Sequence, residues 1–205
     1  MTKLKIKFPF ILNIFVIFFL ISFNSYADDS NKKNELIYIG SENASIKIKV
    51  YSSFTCPHCA DFHENVLPEI KKNYIDNGLV QLIFMDFPLD QAAFNASKLV
   101  HCVDHETQIK FMDKIYEKQS EWTNGDNIEQ INNNLREVVK NFGINSLDFD
   151  KCLNDENNID KILNYRIDGQ KKYSINSTPT IIINEIKLEG ETNFKNIKKK
   201  IEKLI

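Results

Sequence analysis

The feature that most constrains this 205-residue chain is a pair of cysteines two residues apart, Cys56-Pro57-His58-Cys59. The pair follows an alternating apolar run, Ile46 to Tyr51, which is typical of a β-strand, and it precedes a long helical pattern. Pro57 fits the first position of that helix, where its missing N–H is no loss. The pattern therefore predicts two sulfur atoms at a strand-to-helix turn, and such a pair is typical of redox chemistry.

The predicted position of Cys56 favours a reactive sulfur. At the start of a helix, unpaired backbone N–H groups and the helix dipole stabilise a thiolate over a thiol. The imidazole of His58 can add a positive charge or a hydrogen bond to the same sulfur. Cysteines placed in this way can have a pKa of roughly 3.5–7.5 instead of about 8.5. Cys59 lies one helical turn on and deeper, so we predict that Cys56 attacks and Cys59 resolves.

Two other interpretations of the cysteine pair are half of a zinc site and a purely structural bridge. A zinc site needs a second ligand pair at a suitable spacing, and the sequence has no second CxxC. His63 follows the pair, and His101, Cys102 and His105 cluster later in the chain. We predict a redox pair, with no metal and no organic cofactor, and keep the other two interpretations as alternatives.

Three segments together resemble the DsbA-type thiol–disulfide oxidoreductases of the thioredoxin fold. They are Cys56-Pro57-His58-Cys59 after one apolar strand, Asp86-Phe87-Pro88-Leu89 after the next, and Ser177-Thr178-Pro179-Thr180 before Ile181-Ile182-Ile183. The third segment is similar to the cis-proline loop of that fold. The resemblance covers most of the chain after its N-terminal segment.

The resemblance implies a role for the loop that contains Pro179. In this fold the loop packs against the two sulfurs, and its free backbone groups can pair with an extended substrate segment as an added strand. Thr178 would lie against the sulfurs. From the sequence itself, Phe54 is predicted to be a core residue that can also line the substrate groove. Some members of the family carry Val before this proline, so Thr178 leaves room for isomerase character. The alternative is an ordinary trans proline that ends a loop.

The order of predicted elements indicates an α/β protein: a thioredoxin fold with an inserted helical domain. A helix joins predicted strands near 46–52 and 79–85, so these strands should be adjacent and parallel. The pattern is then helical from about 90 to 173, before two short strands and a final helix. Pro68 interrupts the first helical pattern, and we expect a kink there.

The first 27 residues have the pattern of a secretory signal peptide. Lys3, Lys5 and Lys7 precede an almost wholly apolar run from Phe8 to Phe23, and Ser25-Tyr26-Ala27 places small residues where a signal peptidase cleaves. We predict cleavage after Ala27, which leaves residues 28–205 as one thioredoxin-like domain. An uncleaved membrane anchor is the alternative.

Export changes the interpretation of all four cysteines, because disulfides form and persist outside the cytosol. The two cysteines outside the motif, Cys102 and Cys152, are predicted to form a structural disulfide. They could instead be free buried thiols, or metal ligands together with His101 or His105. We interpret the compartment as the bacterial periplasm.

The sequence thus predicts a periplasmic oxidoreductase that introduces disulfides into exported proteins with unpaired cysteines. The resemblance implies reoxidation by a membrane quinone-linked partner of the DsbB type. The formal net charge of −2 and the lack of a basic cluster give no sign of nucleic-acid binding, and a monomer is the default. The alternatives are an exported reductase or isomerase with the same residues, a binding protein with a structural CxxC bridge, and a metal-delivery protein.

Overall fold

A computed structural model describes residues 36–143 and 146–205. The predicted signal peptide, residues 1–27, lies outside these described residues. Five strands form one mixed sheet in the order β1-β3-β2-β4-β5. Their bounds are β1 Ile37–Ile39, β2 Ile46–Ser52, β3 Val80–Asp86, β4 Thr180–Ile183 and β5 Ile186–Lys187.

The register of the sheet brings distant parts of the sequence to one edge. Strands β2 and β3 are parallel, as predicted, with Ser52 opposite Asp86 at their carboxyl ends. Strand β4 runs antiparallel to β2 and places Thr180 opposite Tyr51. The cysteine motif follows β2 and Pro179 directly precedes β4, so both lie at the same edge of the sheet.

The helical run that follows β2, called α1 here, has four consecutive segments. They are Pro57–Asp61, Phe62–Val66, Leu67–Ile70 and Lys71–Ile75. The first and third are α-helical, and the second and fourth are π-helical. Pro68 lies in the third segment, where proline removes an N–H donor and crowds the preceding turn. The interruption predicted at Pro68 therefore takes the form of widened turns on both sides of it.

Helices occupy most of the chain between β3 and β4. They are α2 (Gln91–Val100), α3 (His105–Glu117), α4 (Gln119–Trp122), α5 (Ile128–Val139), a 3₁₀ turn (Lys140–Phe142), α6 (Ser146–Leu153) and α7 (Glu156–Tyr173). A last helix, α8 (Phe194–Ile201), follows β5. Within residues 36–143 and 146–205, the structure contains no helix long and apolar enough to cross a membrane.

The apolar core lies on both faces of the sheet. Successive side chains of a strand point to opposite faces, and in β3 Leu82 and Phe84 join one core cluster while Ile83 and Met85 join another. The larger cluster contains both cysteines of the motif. The redox pair is therefore built into the core, where electrostatic effects are stronger than in water.

Candidate active site

Cys56 is the N-terminal cap of α1, with an extended backbone at φ −82° and ψ 118°. Its carbonyl oxygen accepts hydrogen bonds from the backbone N–H groups of Cys59 at 3.0 Å and Ala60 at 3.2 Å. Pro57 and His58 are exposed, whereas Cys56 is 8% exposed and Cys59 only 1%. The motif therefore offers the sulfur of Cys56 at the surface of the core and keeps that of Cys59 inside.

The surroundings of Cys56 stabilise its thiolate. A hydrogen bond from the Cys59 thiol is the largest cause, and it lowers the pKa of Cys56 to about 5 against the opposing effect of burial. Thr178 and the backbone N–H groups of Cys59 and His58 lower the pKa further. A group with this pKa is mostly ionised at neutral pH, which makes its sulfur a ready nucleophile and a good leaving group.

The surroundings of Cys59 favour its thiol form over the thiolate. Its hydrogen bond to Cys56 and its burial raise the pKa of Cys59 far above that of an ordinary thiol. Cys56 and Cys59 are both free thiols in this structure, so it represents the reduced form. Two neighbouring groups whose pKa values are pushed apart take different roles, and here the geometry gives the attack to Cys56 and the resolving step to Cys59.

His58 contributes to the site through its main chain. The group of His58 that lowers the pKa of Cys56 is its backbone N–H, at the first turn of α1. The expectation that the imidazole itself supports the sulfur rests on sequence alone, and the exposed ring stands at the rim of the site.

The predicted second half of the site lies against Cys56. The peptide bond between Thr178 and Pro179 is cis, and the thiol of Cys56 donates to the carbonyl oxygen of Thr178 at 3.3 Å. The buried hydroxyl oxygen of Thr178 has no hydrogen-bond partner among the described residues. Its O–H can therefore turn toward a sulfur, in keeping with its effect on the pKa of Cys56.

Phe54 does not have the position expected of a residue that lines a substrate groove. Its side chain is 4% exposed and packs against Tyr116, with 4.9 Å between the ring centroids. Phe54 lies in the turn between β2 and α1, and its ring belongs to the core cluster that contains both cysteines. Phe54 supports the site from beneath, and its ring offers almost no surface to a substrate.

Gln119, which no sequence pattern singles out, joins the helical segment to the cysteine loop. Its Nε2 donates to the carbonyl oxygens of Phe54 at 2.8 Å and Cys56 at 3.0 Å. A glutamine in a helical pattern carries no signal of this kind, since the contact spans more than 60 residues of sequence. Only the three-dimensional structure reveals that α4 holds the backbone around Cys56.

A second connection links the cysteine loop to the loop after β3. The Thr55 hydroxyl donates to Asp90 at 2.6 Å, and the Leu89 N–H donates to the hydroxyl of Ser53 at 3.2 Å. Asp90 also caps α2, accepting from the N–H of Ala93 at 2.8 Å. The Asp86-Phe87-Pro88-Leu89 segment thus has a structural role beside the motif.

Behind the cysteines lies a buried aromatic group. Tyr116 is 3% exposed, and its ring packs on Phe54 and on His63. Burial raises the pKa of Tyr116 well above its ordinary value. Tyr116 therefore stays neutral at physiological pH.

Cys102 and Cys152, predicted to pair, are joined by a disulfide in the structure. The bridge ties the end of α2 to α6 across a sequence separation of 50 residues. His101 does not join these cysteines as a ligand, because its Nε2 lies 2.6 Å from Asp86. Among the described residues, no three His, Cys, Asp or Glu side chains come together as a group that could hold a metal ion.

Comparisons with known proteins identify the family and similar structures. A family model described as Thioredoxin matches residues 32–203. The crystal structure of alpha-DsbA1 from Wolbachia pipientis is similar, with a TM-score of 0.72 and 30% identity over 83% of this chain and 90% of that chain.

Curated relatives are more distant in sequence. A putative protein-disulfide oxidoreductase of Rickettsia prowazekii is 26% identical over 84% of this chain. The match spans only 62% of that relative's length. A probable disulfide bond formation protein D of Bacillus cereus is 25% identical over 95% of this chain and 93% of the relative.

Proposed function

The chain belongs to the thioredoxin family, among the DsbA-type thiol–disulfide oxidoreductases, and on this basis we propose that it is an oxidase that introduces disulfide bonds into exported proteins. One observation carries the proposal. The sulfur of Cys56 has a stabilised thiolate, with a pKa of about 5, beside the Thr178–Pro179 loop and above a buried Cys59 that favours its thiol form.

The reaction starts from the oxidised protein, in which Cys56 and Cys59 are bonded. A substrate thiolate attacks the sulfur of Cys56, and the Cys56–Cys59 bond breaks with its electron pair on Cys59, which then takes up a proton. The second thiolate of the substrate attacks the substrate sulfur of this mixed disulfide. Cys56 leaves as a thiolate, so the substrate is oxidised by two electrons and the protein is reduced.

The direction of transfer follows from the stability of the leaving group. A thiolate of low pKa is a good leaving group, and a stabilised reduced form makes the disulfide a strong oxidant. DsbA itself is an example of this relationship among bacterial enzymes, with a potential of about −120 mV. The low pKa of Cys56 therefore favours donation of the Cys56–Cys59 disulfide to a substrate over the reverse reaction, in which the reduced protein reduces a substrate disulfide.

The loop around Pro179 is the proposed place for the substrate backbone. The Thr178 carbonyl oxygen lies beside the sulfur of Cys56, at 3.3 Å in the reduced protein. An extended peptide could pair with this loop as an added strand and bring its cysteine to Cys56. Pro57 and His58, which are both exposed, would border the substrate peptide on the side opposite the Pro179 loop.

The proposal also includes the wider setting of the reaction. Residues 1–27 are proposed as a signal peptide cleaved after Ala27, and residues 28–205 as the periplasmic domain, with a helical insertion at about 90–173. The substrates are exported proteins with unpaired cysteines. A membrane quinone-linked partner of the DsbB type would restore the Cys56–Cys59 disulfide, and the protein would act as a monomer.

A peptide with two cysteines and a fluorescent reporter of their oxidation tests the function. The oxidised protein should convert the peptide to its disulfide form. A Cys59→Ala variant, once activated at Cys56 as a mixed disulfide, should remain linked to a version of the peptide in which one of the two cysteines is replaced by Ser. Replacing Cys102 and Cys152 by Ala should leave the transfer intact. An oxidised protein that does not react would point to a structural bridge, and one that only accepts electrons from a reductase would point to a reductase or isomerase.

A further inference from the structure

A small surface cavity lies beside the cysteine loop and has no part in the reaction above. It is lined by residues 88–91 of the loop after β3, by Phe94 of α2, and by Leu163 and Arg166 of α7. Its volume is about 250 Å³, below the roughly 300–1,000 Å³ of pockets for drug-sized ligands. This cavity, called the Arg166 cavity here, therefore has room for one or two amino-acid side chains.

The Arg166 cavity is directly connected to the cysteine loop. The hydroxyl of Thr55, next to the reactive cysteine, donates to the cavity residue Asp90 at 2.6 Å. The sheet order β3-β2-β4 places the cysteine loop between the loop after β3 and the loop before β4. A peptide that crosses Cys56 can therefore contact the Pro179 loop on one side and the Arg166 cavity on the other.

Arg166 brings an unpaired positive charge to this cavity. The residue is half-buried, its guanidinium carbon lies 5.6 Å from the centre of the Phe87 ring, and its Nε is buried. Within residues 36–143 and 146–205, the Arg166 side chain forms no hydrogen bond or ion pair. Arg136, the other arginine of the chain, pairs with Asp150 at 2.7 Å. A buried donor without a partner costs free energy, which a bound acceptor would recover.

The rest of the lining adds apolar surface and one carboxylate. Leu89 and Leu163 are 46% and 37% exposed, which are large fractions for leucine. The carboxylate of Asp90 is engaged on both oxygens, by the Thr55 hydroxyl and by a backbone N–H in the first turn of α2. The charge of Asp90 is thus directed at donors of the protein itself, and Arg166 is left as the unpaired charge of the cavity.

From this arrangement we infer that the Arg166 cavity binds an acidic side chain of the substrate protein, next to an apolar residue and near the cysteine to be oxidised. The inference rests on the proposed function and deepens it. A guanidinium presents its donors in a planar fork that matches a carboxylate. Leu89 and Leu163 would pack against the apolar neighbour of that carboxylate.

The two sides of the cysteine loop would then have different roles in substrate choice. The Pro179 loop offers backbone groups, which can pair with a peptide of any sequence. The Arg166 cavity offers a charge and apolar side chains, so it discriminates between side chains. Among exported proteins with unpaired cysteines, Arg166 would favour those that carry an acidic residue within a few positions of the cysteine.

Binding of cysteine-free peptides tests the cavity without the redox reaction. Fluorescent peptides carry Ser in place of the cysteine, with Leu-Glu at successive positions over about six residues, or roughly 20 Å, on either side of that Ser. Anisotropy with the oxidised protein compares each peptide with its Leu-Gln counterpart. At one position or more, the Glu peptide should bind about 5- to 20-fold more tightly, near the lower limit for a hydrogen bond to a charged group. Equal affinity for Glu and Gln at every position would overturn the inference.

Arginine variants assign the preference to one residue. Arg166→Gln should bind the Glu and Gln peptides equally, and Arg166→Glu should instead prefer a Leu-Lys peptide at the same position. Arg136→Gln is the matched control and should keep the full preference for Glu, because Arg136 does not line the cavity and pairs with an exposed carboxylate. A preference for Glu that persists in Arg166→Gln, or that is also lost in Arg136→Gln, would overturn the inference.

Arg166→Lys provides a further variant in case Arg166→Gln folds poorly. Lysine keeps the charge but lacks the planar fork, so the preference for Glu should be smaller than in the unchanged protein. Peptides with two cysteines then separate this inference from the proposed function. If the Glu peptides bind more tightly through Arg166 but none is oxidised, the proposed function fails while the binding site stands. If the peptides are oxidised but neither affinity nor rate at low peptide concentration distinguishes Glu from Gln, the inference fails while the function stands.

Discussion

The thiol of Cys56 donates a hydrogen bond to the carbonyl oxygen of Thr178 at 3.3 Å, although 122 positions separate the two residues in sequence. The contact joins the start of α1 to the loop that precedes β4. The buried hydroxyl of Thr178, which has no hydrogen-bond partner among the described residues, also contributes to the low pKa of Cys56. One residue can therefore accept from the thiol and donate to the thiolate.

Replacing Thr178 by Val tests the contribution of that hydroxyl. Valine keeps the branched shape and the backbone carbonyl but removes the O–H donor. We expect the pKa of Cys56 to rise by about 0.5–1 unit, which corresponds to a hydrogen bond of about 1 kcal/mol. The measurement is thiolate absorbance at 240 nm as a function of pH, with Thr180→Val as the control, because the Thr180 hydroxyl donates to Ser177 instead. An unchanged or lower pKa would contradict this role.

The low pKa of Cys56 predicts how the stability of the reduced protein depends on pH. The folded value is about 5 and the ordinary value is 9.0. A depressed pKa stabilises the folded reduced form fully above the ordinary value, and this stabilisation is lost as pH falls through about 5. Between pH 8 and 5, the free energy of unfolding of reduced protein should fall relative to oxidised protein by about 1.4 kcal/mol per unit.

Urea unfolding of both redox forms at a series of pH values measures this difference. The raised pKa of Cys59 keeps it protonated throughout this range, so it does not contribute to the slope. A Cys56→Ser variant should lose the pH dependence. A difference between reduced and oxidised protein that stays constant from pH 8 to 5 would show that Cys56 is not ionised in the folded state.

Gln119 is expected to stabilise the fold around the motif. Gln119→Ala removes its hydrogen bonds to the carbonyl oxygens of Phe54 and Cys56. The carbonyl oxygen of Cys56 keeps its bonds from the N–H groups of Cys59 and Ala60, but that of Phe54 loses the Gln119 donor. Leaving a carbonyl group without this partner costs about 1–3 kcal/mol, so the free energy of unfolding should fall by that amount. Gln130→Ala is a suitable control, because the Gln130 side chain accepts from the backbone N–H of Asp126 at an exposed site. Equal small losses in both variants would contradict a special role of Gln119.

The disulfide between Cys102 and Cys152 is expected to contribute to stability by restricting the unfolded chain. For a separation of 50 residues, the chain-entropy relation gives about 4 kcal/mol. The double variant Cys102→Ala/Cys152→Ala should lose roughly this amount in urea unfolding, with Cys56 and Cys59 oxidised in both proteins. A loss below about 1 kcal/mol would mean that strain or residual structure cancels the entropic gain.

Much of the fold could be predicted from the sequence because its local signals agree with one another. The alternating residues 46–52, the proline after Cys56 and the apolar run near 79–85 specify a βαβ unit, and the structure has its two strands parallel with Ile46 opposite Val80. The pattern predicts helical structure from about 90 to 173, and in the structure helices occupy most of Gln91 to Tyr173. At Pro68 a kink was predicted, and the structure has π-helical segments on both sides of the turn that contains this proline.

The surroundings of the site were less predictable because they depend on tertiary contacts. Nothing local distinguishes Gln119 from other polar helix residues. Phe54 was predicted to be a core residue that can also line a substrate groove, and the structure has it buried against Tyr116. Both roles depend on contacts between the cysteine loop and α3 or α4, which lie about 60 to 65 residues away in sequence.

The measurement that tests the central claim most directly is the equilibrium of the purified protein with a series of glutathione buffers. Rapid alkylation and peptide mapping would report the state of Cys56 and Cys59 separately from Cys102 and Cys152. The stabilised Cys56 thiolate predicts a potential above about −200 mV, in the range of disulfide donors. A value near about −270 mV, that of thioredoxin, would contradict the oxidase and indicate a reductase.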